Sequence, residues 1–211
     1  MKSIIQKQEH RNESVFNFVA GQYDKGFIGK WLFDVVKATV NEISLKRNSR
    51  ILDAGTGTGN LLFILEKKNK DLQLYGIDVS NKMLAHARRK LKHAHLMRLS
   101  VSDVEKKFKN NFFDYIFVVD AFHHFPEHVS TVHTFYRVLK NNGMLIITDF
   151  DFGSLFNYIF HMLEPGNSGI YTKKAMQKLF IQSGFKIKKQ KRLGLFSVMT
   201  VGIKMPVRRN I

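Results

Sequence analysis

From Arg50 onward, short apolar runs alternate with stretches in which apolar residues recur at helical spacing. The runs predict strands at Arg50–Ala54, Leu72–Ile77, His95–Leu99, Tyr115–Val119 and Met144–Thr148. The helical spacing predicts helices at Thr58–Lys67, Asn81–Leu91 and Glu127–Leu139. The second of these takes Ser80 as N-cap and puts Met83, Leu84, Ala87 and Leu91 on one face. Upstream, Ile28, Trp31, Leu32, Val35, Val36, Val40 and Ile43 predict a helix over Phe27–Ile43, with a weaker one around Glu13–Ala20. Strands separated by helices mean βαβ units, a parallel sheet covered on both faces, and right-handed crossovers. The end of the chain breaks the pattern. Thr172 caps a helix that Gly184 stops, and the extended runs Phe185–Gln190 and Leu195–Ile203 follow with Gly194 at the turn. Two strands this close have no room for a crossover, so they pair antiparallel.

Composition narrows the class. The chain has 211 residues, 44% hydrophobic and 24% charged, with 3 prolines and 14 glycines, proportions of a folded globular chain rather than a disordered or fibrous one. It has no cysteine, which excludes a disulfide framework, Cys-ligated zinc, iron–sulfur clusters and thiolate nucleophiles. No apolar run approaches the roughly 18 residues of a membrane span. Residues Met1–His10 lack the apolar core of a signal peptide, and a cytoplasmic location is the expectation.

Charge is the conspicuous feature: 34 Lys+Arg against 17 Asp+Glu, a net +17. It admits a polyanionic partner, nucleic acid or an anionic membrane surface. It equally fits a basic composition spread over solvated faces, since the cations fall in separate clusters, at Arg88–Lys92, Lys106–Lys109 and Lys186–Arg192. The second reading is preferred.

The candidate chemistry lies at the ends of the predicted strands. In Ile51-Leu-Asp53-Ala-Gly55-Thr-Gly57-Thr-Gly59-Asn60 an apolar strand runs into a glycine-rich turn that opens a helix. Glycines permit a tight turn and close approach of a ligand, and the helix start offers free N–H groups. A dinucleotide fingerprint would place its third glycine at position 60, where the chain has Asn. The second strand ends at Asp78, 19 residues after Gly59, where a carboxylate can accept from both hydroxyls of a ribose; the alternative is a solvated or capping Asp. Asp103 follows the third strand and could take an exocyclic adenine amine, or serve as N-cap for a short helix at Val104–Phe108.

In order and combination these stretches resemble the class I S-adenosylmethionine-dependent methyltransferases, and within them the ubiquinone/menaquinone-biosynthesis-like group. The matching segments are Leu52–Gly59, Gly76–Ser80 through Met83, Ser102-Asp103, Phe113–Ile116 through His123-His-Phe125, and Arg137–Leu145; Ala20-Gly-Gln-Tyr23-Asp24 is similar to the family's short N-terminal cofactor-covering motif. The resemblance implies a Rossmann-like, doubly wound α/β fold: a mostly parallel seven-stranded sheet, helices on both faces, ending in an antiparallel hairpin. It implies a helical cap over residues 1–45, a methyltransferase domain over 46–211, and a substrate lid within 151–171. The implied cofactor is S-adenosylmethionine, leaving as S-adenosylhomocysteine. Asp53, Gly55, Gly57 and Gly59 would line its methionine side, Asp78 would hold the ribose, and Val79 and Met83 would lie against the adenine. Asp103 would take the adenine amine with Val104 beside it, Asp120 and Ala121 would face the sulfonium region, and Tyr23 would close over the top. No metal is implied.

The reaction implied is an in-line displacement at the methyl carbon. His123, His124, His161 and Asp149 are the candidates for a base, none of them assigned as catalytic, and a structural role fits the histidines as well. The acceptor is open. A covalent thiolate route is closed, and Asp120-Ala-Phe-His lacks the Asn/Asp-Pro-Pro-aromatic turn of exocyclic-amine methylases of nucleic acid. Phe152, Leu155, Phe156, Ile159, Phe160 and Leu163 would share one helical face in a stretch without Lys or Arg from 141 to 172. That face is either an apolar lid over a small hydrophobic or aromatic acceptor or a helix packed on the core. RNA or protein methylation, and a non-catalytic cofactor-binding module, are the alternatives.

Overall fold

A computed structural model describes residues 2–153 and 168–206. Helices α1 (Lys2–Val19) and α2 (Gly26–Asn41) precede an alternating series: β1 (Arg50–Ala54), α3 (Asn60–Lys68), β2 (Gln73–Asp78), α4 (Asn81–Lys90), β3 (His95–Arg98), α5 (Val104–Lys107), β4 (Phe113–Val119), α6 (His128–Val138) and β5 (Leu139–Phe150). Helix α7 (Lys173–Gln182) leads into β6 (Phe185–Leu193) and β7 (Ser197–Lys204). The seven strands are ordered β3-β2-β1-β4-β5-β7-β6. All neighbours are parallel except β7, which runs antiparallel to both β5 and β6.

Strand parity decides what each residue faces. Leu52, Ile116, Val118, Leu145 and Ile147 pack on one side with Phe122, Phe135 and Phe180. Their immediate neighbours Ile51, Tyr115, Phe117 and Ile146 pack on the other with Val36, Leu62 and Met199. Helix α2 docks on that second side through Thr39, whose hydroxyl donates to Val35 O and bonds Thr148 Oγ1, each at 2.9 Å. Ser80 caps α4 by accepting from Met83 N, and Thr172 caps α7 by accepting from Ala175 N. Gly184 (φ 91°) ends α7, and Gly194 (φ 73°) turns the hairpin.

The first helix is longer than the hydrophobic pattern predicts. Its inward stripe is polar, so apolar period misses it, and side-chain bonds hold it instead. Asn12 Nδ2 donates to His124 O at 2.6 Å, Arg98 pairs with Glu13 at 2.8 Å, and Ser80 Oγ donates to Asn17 Oδ1 at 2.7 Å. Strand β5 also starts earlier than predicted, because Leu139 already pairs with Phe113. The proposed lid over Phe152–Leu163 lies outside the described residues except for Phe152 and Gly153; the Phe152 ring stacks on Phe150 with centroids 5.5 Å apart. Among the described residues, no helix is long and apolar enough to cross a membrane.

Candidate functional site

Strand order reverses between β1 and β4, so the loops leaving their C-terminal ends diverge and open a crevice. The loop after β1 holds three glycines at positive φ: Gly55 (76°), Gly57 (52°) and Gly59 (82°). A Cβ on Gly55 would stand 2.7 Å from the Ala121 methyl, in the loop after β4. Gly59 sits at the N-cap of α3, pressed on Ala87 and Leu91. Gly57 is different: a Cβ there would meet nothing within 4 Å, and its N–H donates to Asp78 Oδ2 at 2.9 Å. Asp78 Oδ1 accepts from Ser80 N at 2.8 Å. Each Asp78 oxygen therefore keeps a lone pair for a ligand hydroxyl.

Two clefts flank this loop. The larger, about 630 Å³ with the space at its mouth, has Asp78, Val79 and Met83 on one side and Asp120, Ala121 and His124 on the other. The smaller, about 400 Å³, lies on the α2–α3 side and includes Asp53 and Thr56. Parity explains the split, since Asp53 follows Ile51 by two residues and faces α2 and α3 with it. Tyr23 reaches both clefts. It is set there by the next residue, Asp24, which accepts from Thr58 Oγ1 (2.8 Å), Asn60 Nδ2 (2.9 Å) and Lys90 Nζ (2.9 Å). Among the described residues neither cleft is lined by Lys or Arg, in a chain with 34 of them; their charged wall residues are Glu9, Asp53, Asp78 and Asp120.

These carboxylates differ in support. Asp53 is 3% exposed and accepts from Thr56 Oγ1 at 2.6 Å. Burial pushes its carboxyl up to about 7, the Thr56 bond opposing and the Asp78 charge adding to the shift. Asp120 takes φ 50° after β4, its N–H donates to Thr148 O at 2.9 Å, and both side-chain oxygens are buried without a hydrogen-bond partner. Burial drives its carboxyl well above the usual range, Asp149 adding and His123 opposing. Asp149 is equally buried, yet His123 Nδ1 at 2.6 Å and the N–H groups of His123 and Phe150, both at 2.8 Å, overcome that and hold it low.

The structure therefore gathers Tyr23, Gly55, Gly57, Asp78, Val79, Met83, Asp120 and Ala121 on the larger cleft, with Asp53 behind the glycine loop. It does not bring Asp103 or Val104 there. Asp103 opens on a neighbouring depression and pairs with Lys106 at 2.6 Å, while Val104 is fully buried in the core. Nor does the Asp103 side chain cap the helix after it; Ser100 caps the preceding turn instead. Of the base candidates, His124 lines the cleft, the His123–Asp149 pair stands behind it, and His161 is outside the described residues. Sequence reasoning missed Glu9, Asn12 and Phe16 of α1, which also line the cleft. Their i, i+3, i+7 spacing was the available signal, obscured because two of the three are polar.

The methyltransferase-domain family matches residues 52–147, from β1 into β5. Among curated relatives, phosphoethanolamine N-methyltransferase 3 of Arabidopsis thaliana is 32% identical over 133 residues, 61% of this chain but only 26% of that protein. Demethylmenaquinone methyltransferase of Staphylococcus saprophyticus is 24% identical over 226 residues, covering 90% of this chain and 94% of the relative. A SAM-dependent methyltransferase from Aquifex aeolicus superposes with a TM-score of 0.72 at 20% identity, over 89% of this chain and 97% of that one.

Residues 52–147 are a methyltransferase domain, and the chain has the fold of the S-adenosylmethionine-dependent methyltransferases.

The methyl donor of the class is S-adenosylmethionine, and the residues present fit it. The ligand carries a sulfonium and an ammonium, and the clefts offer carboxylates with no opposing Lys or Arg among the described residues. Gly57 leaves open the space a side chain would fill, and Asp120 has two buried oxygens awaiting a partner. In this methyltransferase the larger cleft presents Asp78, Val79 and Met83, the smaller Asp53 and Thr56, and the glycine loop lies between them.

Proposed function

We propose that this methyltransferase moves a methyl group from S-adenosylmethionine to a small, apolar or ring-bearing acceptor. The observation that carries the reading is the wall of the larger cleft beyond the ribose and adenine candidates. Phe16, Phe125 and Pro126 form it together with Asn12 and His124, under α1. An apolar wall with a few convergent polar groups suits a small molecule. A polyanionic acceptor would call for cations at this wall, and none of the described lining residues supplies one. The demethylmenaquinone and phosphoethanolamine methyltransferases are both named for small acceptors, which supports the small-molecule part of the reading; of the two acceptors only demethylmenaquinone is apolar and ring-bearing.

The chain's own contribution is alignment and exclusion of water. The cofactor supplies a methyl on a sulfonium, already activated as a leaving group, so positioning carries the rate, worth up to ~7–11 kcal/mol in favourable cases. Asp78 and the glycine loop fix the donor, α1 covers the cleft, and His124 is the base candidate placed on its wall. The segment 151–171 as lid over the acceptor, and residues 1–45 as a cap, belong to the same proposal.

The test supplies purified protein with methyl-tritiated S-adenosylmethionine and a fractionated cell extract, and counts label in organic-extractable, nuclease-sensitive and protease-sensitive pools. Label in the organic pool supports the reading. Label in a macromolecular pool overturns it in favour of RNA or protein, and cofactor binding without label in any pool makes the chain a binding module.

A further inference from the structure

The two clefts share four wall residues, Tyr23, Gly55, Gly57 and Asp120. On one side of them lie Asp78, Val79 and Met83; on the other lie Asp53 and Thr56. In S-adenosylmethionine the sulfur is the atom that joins adenosine to the methionine chain. With adenosine in one cleft and methionine in the other, the sulfur falls at the shared wall. Asp120 is the carboxylate of those four, 8% exposed and with neither oxygen bonded. The other acids at the strand ends are all engaged: Asp53 by Thr56, Asp78 by Gly57 and Ser80, Asp149 by His123. An unbonded buried carboxylate is costly, and the cost is relieved when a cation comes against it.

We propose that Asp120 is the counter-charge of the sulfonium, and that through it the chain separates S-adenosylmethionine from S-adenosylhomocysteine. It gives up a proton to solvent when the charged donor binds and takes one back when the neutral-sulfur product replaces it. The proposal rests on the donor reading above and deepens it. The consequence is a bias against retained product, since the site is complementary to the charge that methyl transfer removes.

The surroundings suit the role. Asp149 of β5 adds negative charge, and His123 of the turn after β4 offsets part of it. His124 of the same turn, Glu9 of α1 and Asp78 of β2 share the larger cleft with Asp120, and Asp53 of β1 shares the smaller. Burial and these acids shift the Asp120 carboxyl upward, which favours its neutral form until a cation comes against it. Asp53 and Glu9 respond alike to both ligands, because donor and product carry the same ammonium. The difference between the two ligands therefore reports the groups near the sulfur, and D120N singles out Asp120 among them from Asp78 and His124.

The test is titration calorimetry of the full chain with each ligand, near pH 7, in two buffers of different ionisation enthalpy. S-adenosylmethionine should release more protons than S-adenosylhomocysteine, by about half a proton or more. D120N should abolish the difference, weaken the donor about tenfold or more, and change product affinity less than about threefold. Product binding also reports that D120N is folded; if it is not, the wild-type difference alone decides. Equal proton release by the two ligands, or a D120N variant that keeps the donor preference, overturns the proposal and leaves the donor reading intact. Failure of wild-type protein to bind either ligand overturns both.

Discussion

Asp53→Asn should stabilise the free protein at alkaline pH and leave it unchanged or slightly weaker at acid pH. Burial lifts the Asp53 carboxyl from 3.8 to about 7. The folded state thus binds this proton more tightly than the unfolded one. The associated stability is fully present below about pH 4 and lost as pH rises through about 7. A shift of about three units corresponds to at most ~4 kcal/mol between those limits. An amide cannot ionise, so the variant escapes that loss. It must still place an NH2 group where a carboxylate oxygen stood, which offsets ~1–2 kcal/mol if the group finds no acceptor. Urea unfolding of both proteins without ligand, at about pH 4 and about pH 8.5, measures the difference. We expect Asp53→Asn to be level or up to ~2 kcal/mol less stable at the lower pH, and ~2–3 kcal/mol more stable at the higher. Asp120 titrates in the same direction but is present in both proteins and cancels. An effect of the same size and sign at both pH values would refute the burial argument.

Gly55→Ala combines a positive φ with a Cβ 2.7 Å from the Ala121 methyl, so it should cost ~2–4 kcal/mol. It should also weaken S-adenosylmethionine more than tenfold; denaturant unfolding and calorimetry read the two effects, and an unperturbed Kd would remove Gly55 from the cofactor wall. His123→Ala removes the partner of a buried carboxylate and should destabilise by ~3–5 kcal/mol. Because Asp149 is held below the usual carboxylate range, the stability of that pair is present above that range and lost as pH falls through the depressed value. The cost of His123→Ala should therefore shrink in acid, and a cost independent of pH would mean the ring contributes by packing alone.

Much of the sheet was legible because burial on both faces leaves little freedom. Arg50–Ala54 reads as a strand from its own residues, and the antiparallel hairpin follows from two extended runs separated by a turn at Gly194. The glycine loop was legible for a different reason: Gly55, Gly57 and Gly59 all take positive φ, which few other residues tolerate. What escaped was whatever depends on tertiary neighbours. Helix α1 is fixed by Asn12, Glu13 and Asn17 bonding to residues 63–112 positions away, which no local period encodes. Asp103, expected from its place after a strand, lines the adjoining hollow, which shares Glu9, Val79, Leu99 and Ser100 with the larger cleft, and its side chain pairs with Lys106.

The charge distribution joins fold and function. A net +17 over the whole chain would favour polyanions wherever the cations converge. They do not converge on the clefts. Lys189 and Lys191 pair with Glu42 just after α2, Arg137 with Glu105 and Lys140 with Asp114, away from the cleft linings, while Lys90 is neutralised by Asp24 at the edge of the smaller one. The crevice at the strand ends instead gathers Asp53, Asp78 and Asp120, one at or just past the end of each of β1, β2 and β4. Parallel strands make this unavoidable once each ends in an acid, since their C-terminal ends open on the same crevice. A cation entering there meets carboxylates that burial has made reluctant to ionise, and relieves them. The excess of Lys and Arg gives the chain a positive long-range field, while the strand ends form a small acidic interior that composition alone does not reveal.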